Sequence, residues 1–413
     1  MDITLKTGEW WAVPWWGQDR YYEDSQFNRE EVENAFKMLR EIFDSIWLLT
    51  QKDRTISEAK QWLGRNQDKV KTDACLSYLK ERLEGTSESS EAYKVCMMIG
   101  FRSQHPLFDQ FFGEGHLPFY HLAMLGRALL DVRNAKLLGD LRRRLRNARE
   151  YPGAHFELEM LAHLIRQECS IKRHPPTGTG NSKADLYIKK GPEELFIELK
   201  RLEPSKTNKE MISISNQIFR AILFDPFISS APLAIRRLEL SEELRAKSKT
   251  NDGLRDLLHS WPIIVQQIQE HIAEKARNSE WGHHIVPGLA KYEINPRQEG
   301  IGGQGSIGGL PLSQEAEVEK IFQNAVEETC KQLPKDKPGI LIVHTPLPVD
   351  SNKVERTLLH SFSDRCHLSA IILIYTRFSI EGVRYDLDFI RNPDAIDVSN
   401  YATVRAIVDL GNL

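Results

Sequence analysis

Cysteine is scarce in this chain and has no pattern. Cys75, Cys96, Cys169, Cys330 and Cys366 are scattered through 413 residues, and no two form a CxxC pair. An odd, dispersed set argues against a disulfide framework and against a zinc ribbon, and reads as reduced thiols in a cytoplasm. No run of about 18 apolar residues is present, so neither a transmembrane helix nor a membrane partner is expected. Met1 to Trp16 holds acids and four tryptophans but no basic segment leading into an apolar one, so no signal peptide is expected. A strong charge of one sign is missing too. The 55 Lys and Arg nearly balance 58 Asp and Glu, so any affinity for a polyanion has to be local.

What is present, 41% apolar and 27% charged, is the composition of a folded globular protein rather than a disordered one. The length allows two or three domains. One local excess of charge stands out. Between Val132 and Arg149 lie Arg133, Lys136, Arg142, Arg143, Arg144, Arg146 and Arg149, against the single acid Asp140. Such a strip can hold phosphate or can be a solvated helix face.

Residues 1–150 read as an all-helical N-terminal domain. Apolar residues recur at three- and four-residue spacing in Asn28–Leu49, Ser57–Leu63, Ala74–Leu83, Glu91–Met98 and His121–Asn147. Thr86–Ser90 is a polar loop, and Trp10, Trp11, Trp15 and Trp16 suit a core plug or lid better than a base-stacking platform. From Tyr151 the pattern changes. A helix over Ala154–Glu168 precedes β-type runs at Cys169–Arg173, Asp185–Lys189 and Leu195–Leu202. A helical and loop insert over 203–312 follows, with one strand expected at Leu289–Asn295. Then come a helix at Ser313–Leu333, a strand at Gly339–Thr345, a helix at Asn352–Arg365, and strands at Leu368–Thr376 and Arg384–Ile390. Strands alternating with helices predict an α/β domain over 151–413, built on a mixed sheet flanked by helices.

Lys183–Leu202 carries the chemistry. It reads as a hairpin turning at Gly191-Pro192, and because side chains alternate along a strand, Glu198 and Lys200 share a face. Centring the turn between Pro192 and Glu193 sets Asp185 opposite Lys200 and Tyr187 opposite Glu198, which makes the two acids diagonal neighbours on that face. Carboxylates without cations are costly in an apolar sheet, and Mg²⁺ or Mn²⁺ would relieve that cost using oxygen ligands. Asp185 and Glu198 are the expected ligands, with the Leu199 carbonyl as a further one. Lys200 is placed to orient or deprotonate water, or to stabilise charge on phosphoryl oxygens. Glu157 interrupts the apolar stripe Phe156, Met160, Leu161, Leu164 and Ile165, and needs a partner; the metal site is the expected one. Arg173, His174, Arg201 and Lys206 flank the site and could contact phosphate.

These residues resemble the PD-(D/E)xK nuclease superfamily, whose restriction-endonuclease-like core runs helix, three strands, helix, strand. The likeness covers Gly153–Leu202 and extends to Ser313–Thr345, with Ala184 where the family's name-giving proline stands. It implies divalent-metal hydrolysis of phosphodiesters, in DNA more often than RNA, in restriction, repair or anti-phage defence. It also implies that Lys331 and Gln332, ending the helix after the hairpin, approach phosphate, with Lys320 three turns earlier. The expected protein is therefore a cytoplasmic nuclease, endo- or exo-acting, whose nucleic-acid contacts include Arg201, Arg142, Arg143, Arg144, Lys331 and Gln332, and for which a homodimer is open. The rival expectation is a catalytically silent, nuclease-fold binding or regulatory protein.

Other motifs are weaker. Gly303–Gly308 matches GxGxxG but lacks a strand directly before it and a helix opening from it, and reads as a loop. His283-His284 reads as a surface pair, Cys366-His367 as a turn, and no GxSxG elbow supports serine hydrolysis.

Overall fold

The computed structural model describes residues 29–72, 74–85, 105–107, 116–177, 182–223, 228, 233–248, 250–296, 306–308, 318–319, 321, 325–345, 349–359, 367–379 and 382–412. The tryptophans at 10–16, the loop 86–90, the helix expected at 91–98 and Lys320 lie outside them. The chain forms two compact units. The first takes Met1–Thr55, Arg102–Pro204 and Glu317–Leu413; the second takes Ile56–Phe101 and Ser205–Ala316. The boundary expected at residue 150 falls inside the first unit.

The elements in chain order are α1 (Arg29–Ile42), α2 (Ser45–Arg65), α3 (Gln67–Thr72), α4 (Ala74–Gly85), α5 (His116–Asn134), α6 (Leu141–Arg146) and α7 (Tyr151–Arg166). Then come β1 (Ser170–Arg173), β2 (Leu186–Lys190), β3 (Glu193–Arg201), α8 (Lys206–Leu223), β4 (Leu233–Leu240), α9 (Glu242–Lys247), α10 (Asn251–Arg277), β5 (Gly282–Val286), β6 (Ala290–Pro296) and β7 (Ser306–Gly308). Last are α11 (Glu327–Gln332), β8 (Gly339–Thr345), α12 (Ser351–Leu359), β9 (Leu368–Ser379), β10 (Gly382–Arg391) and α13 (Ala402–Val408).

The first unit is built on a six-stranded sheet of order β1-β2-β3-β8-β9-β10. The β1–β2, β2–β3 and β9–β10 pairs are antiparallel, whereas β3–β8 and β8–β9 are parallel, so the sheet is mixed. Every residue of β8 is buried. Its run of Ile340, Leu341, Ile342 and Val343 is what a central strand covered on both faces requires. On one face Leu341, Val343, Ile371 and Leu373 join Val326, Leu333 and Val354 in a single apolar cluster. Against the other lie α7 and α13.

Of the N-terminal helices, α1, α5 and α6 belong to this unit, and α5 packs on α1, on α7 and on β10. Gly126 permits the α1–α5 approach, because a Cβ there would sit 2.3 Å from the carbonyl oxygen of Ala35. Two expected helices differ in extent. The first breaks at Phe43-Asp44, where the Asp44 carboxylate accepts the Trp47 N–H at 2.9 Å and starts α2. The helix expected over His121–Asn147 is divided into α5 and α6, with Lys136 (φ 59) and Gly139 (φ 43) turning the chain between them.

The second unit corrects the expectation of a helical and loop insert with one strand. It contains a four-stranded sheet of order β5-β6-β4-β7, covered by α8 and α10. β4 (Leu-Ala-Ile-Arg-Arg-Leu-Glu-Leu) was hidden by the adjacent Arg236 and Arg237, which interrupt its apolar alternation. A register irregularity falls between Ile235 and Arg237, and Leu238 and Leu240 are nevertheless buried. Ser306–Gly308, expected as loop, pairs in parallel with β4. Met211, Ile214, Ile218 and Ile222 line one side of α8 and meet Tyr292 and Ile294 of β6 in the core. Among the described residues no helix is long and apolar enough to cross a membrane.

Candidate active site

The β2–β3 hairpin sets the geometry. Lys190 pairs with Glu193 and Leu186 with Ile197, so the turn is centred between Gly191 and Pro192. The expected register is therefore two residues off. Gly191, at φ 63, takes the positive-φ position that opens a type II′ turn, and Pro192 the second. A shift of two leaves the faces unchanged, because the side-chain period is two. Extending the ladder by one residue sets Asp185 across from Glu198, directly opposite rather than diagonal.

Both carboxyl groups are fixed by backbone N–H groups. The Leu199 amide donates to Asp185 Oδ2 at 2.8 Å, and the Asp185 amide donates to Glu198 Oε2 at 3.3 Å. Leu199, whose carbonyl is the expected ligand, thus meets Asp185 through its N–H. Glu198 is 2% exposed. Burial, and then the neighbouring Asp185, push its pKa up to about 7 against the pull of Lys200. Burial likewise raises Asp185; the Leu199 N–H opposes this and the Glu157 carboxylate adds to it.

Lys200 Nζ lies 3.1 Å from Glu198 Oε1, 3.2 Å from Gln332 Oε1 and 3.5 Å from Glu328 Oε2. Gln332, expected at phosphate, instead accepts from the lysine. Lys331 is exposed, and its carbonyl accepts from the Ser182 hydroxyl at 3.3 Å. Glu328 was missed in the sequence. Its signal is the four-residue spacing to Gln332, which puts both on one side of α11.

Glu157 departs from expectation. It is buried, but two guanidinium groups hold it: Arg144 NH1 at 2.5 Å from Oε2, and Arg173 NH2 and Nε at 2.7 and 2.8 Å from Oε1. Arg173 also contacts Asp140 at 2.8 Å and the Leu137 carbonyl at 3.2 Å. The partner that a carboxylate on an apolar stripe demanded is thus a pair of arginines. Glu157 still acts on Asp185 through space.

The basic strip is largely engaged by the protein itself. Arg133 pairs with Glu41, Arg143 with Glu150 and Arg146 with Asp44, while Arg142 donates to the Glu41 carbonyl at 2.9 Å. Arg201, on the opposite face of β3 from Lys200, turns toward the start of α7 and donates to the Pro152 carbonyl at 3.0 Å. There it lies near half-buried His155 and Glu159 and buried Tyr385, whose hydroxyl donates to Glu159 at 2.8 Å. His283 is exposed, whereas His284 packs on Tyr292, with ring centres 5.3 Å apart.

Among the described residues no group of three or more His, Cys, Asp or Glu side chains could hold a metal ion. The donor set is two carboxylates. That suits Mg²⁺, which keeps several waters and commonly takes one or two protein carboxylates plus substrate phosphate. The fit is also electrostatic: buried Glu198 faces half-buried Asp185, and burial first, then the Asp185 charge, disfavours ionisation of Glu198 in spite of Lys200. Comparison with protein-family models, with curated proteins and with solved structures gave no match.

Proposed function

We propose that this protein is a divalent-metal-dependent nuclease of the PD-(D/E)xK, restriction-endonuclease-like type, cutting phosphodiester bonds in DNA in preference to RNA. The observation that carries the reading is the opposed pair Asp185 and Glu198, with Lys200 3.1 Å from Glu198 on the same face of a mixed sheet. Within the first unit the order α7, β1, β2, β3, α11 and β8 supports it, since with the second unit's elements set aside it follows the helix, three strands, helix, strand order of that fold. Asp185 and Glu198 are the residues that would hold Mg²⁺ or Mn²⁺. Once bound, such an ion supplies neutralisation of charge on the phosphoryl oxygens and a more acidic water. Lys200, steadied by Gln332 and Glu328, orients the attacking water or takes its proton, and its charge favours the crowded phosphoryl group. Glu157 anchors Arg144 and Arg173 beside the pair, and its own charge adds to the field that draws a cation. Arg142, Arg143 and the exposed Lys331 remain the proposed contacts to the nucleic-acid backbone.

One observation favours the rival reading of a silent nuclease-fold protein: the third expected acid, Glu157, is already satisfied by arginines. Linear, circular and single-stranded DNA and RNA, incubated with Mg²⁺, Mn²⁺ or EDTA, separate the two. Cleavage that needs metal and is lost in Asp185→Ala and Lys200→Ala is the expected result. Metal binding by calorimetry with every substrate left intact would establish the rival.

A further inference from the structure

His174 is the group beside the carboxylate pair that the reading above leaves without a task. It follows the last residue of β1, is half-buried, and takes φ 50. The left-handed region is uncommon for a residue with a side chain, and a following proline further favours extended backbone; here Pro175 follows. Hydrogen bonds on both sides hold this conformation. The His174 amide donates to the Asp185 carbonyl at 2.9 Å, the Ala184 amide donates to the Pro175 carbonyl at 3.2 Å, and Pro176 bridges Lys183. The same backbone segment that carries Asp185 therefore fixes where His174 stands.

The ring's chemistry is also constrained. Its Nε2 lies 3.3 Å from Arg173 NH2, and a guanidinium can only donate, so Nε2 is the acceptor. The neutral ring must then carry its proton on Nδ1, and Nδ1 has no hydrogen-bond partner among the described residues. Arg173 itself cannot turn to a ligand without abandoning the buried Glu157. The imidazole is close enough to be felt by both Asp185 and Asp140. An N–H donor at this place can meet a phosphoryl oxygen.

We propose that His174 is a phosphate-contacting residue of this site, donating Nδ1–H to a phosphoryl oxygen of the nucleic acid. The proposal rests on the hydrolase reading of Asp185 and Glu198. A residue held in left-handed backbone for function gives two opposite readouts in one variant. His174→Gly removes the conformational penalty and the donor together, so it should melt at higher temperature than the wild type and yet recognise substrate less well. Loss of one hydrogen bond to a charged group corresponds to about a ten- to hundredfold loss in kcat/KM. His174→Asn, which tolerates this backbone and retains an N–H donor, should recover part of it.

The full-length chain is tested with a fluorescein-labelled DNA oligonucleotide, by anisotropy in Ca²⁺ and by cleavage in Mg²⁺. Wild-type affinity and cleavage in His174→Gly overturn the proposal, as does a lower melting temperature combined with unchanged binding. If the wild type cuts nothing, the hydrolase reading falls separately. The anisotropy comparison then decides alone: weaker binding by His174→Gly supports the phosphate contact. An unchanged Kd, or a wild type that does not bind the oligonucleotide, ends it.

Discussion

Glu198→Gln offers a test that needs no substrate. In the folded protein burial and Asp185 raise the Glu198 carboxyl from an ordinary 4.5 to about 7. At 1.36 kcal/mol for each pH unit, the difference corresponds to about 3 kcal/mol. Below 4.5 the group is protonated whether the chain is folded or not, and contributes nothing to the balance. Between 4.5 and 7 the unfolded chain ionises first, so the folded state binds more protons and stability falls as pH rises. Above 7 the full penalty stands. Glutamine has a similar shape, still offers an oxygen to Lys200 Nζ, and does not ionise. Urea unfolding should therefore find Glu198→Gln close to the wild type at pH 4.5 and more stable at pH 8.5, by up to about 3 kcal/mol. Adding Mg²⁺ should close most of this gap. An ion at a hundred times its Kd stabilises the wild type by about 2.7 kcal/mol, and a site lacking one of its two carboxylates should gain far less. A variant no more stable than the wild type at pH 8.5, or a difference that ignores pH, would refute the claim that uncompensated charge is stored at this pair.

Other outcomes follow from neighbouring contacts. Arg173→Met strips a buried carboxylate of one guanidinium and should cost about 3–5 kcal/mol in urea unfolding, with Glu157→Gln recovering part of the loss when combined with it. Gly126→Ala drives a methyl group to 2.3 Å from the Ala35 carbonyl oxygen, so α1 and α5 must separate; a thermal melt should show a loss of about 1–3 kcal/mol or more. Gly191→Ala meets no atom within 4 Å and bears only the positive φ, for about 1–2 kcal/mol by the same measurement.

Much of the site could be read from the sequence, because it rests on short-range rules. Alternation along a strand put Glu198 and Lys200 on one face, and a turn with an even number of residues kept Asp185 with them whichever even register held. The β8 run from Gly339 to Thr345 was legible because a strand covered on both faces is continuously apolar. The insert sheet was not. Arg236 and Arg237 break the alternation of β4, and its burial depends on pairing with β6, more than 50 residues later in the chain.

The sequence by itself determined the α/β class, the central hairpin and which acids and lysine share its face, since periodicity and turn chemistry act over a few residues. Only the tertiary structure decided which neighbours those groups meet. It set Asp185 opposite Glu198, gave Glu157 to Arg144 and Arg173, gave Arg201 to the Pro152 carbonyl and brought Glu328 and Gln332 to Lys200. Such pairings join residues distant along the chain, and for charged groups the winner is whichever opposite charge or hydrogen-bonding group the packing brings within about 3 Å before water is excluded.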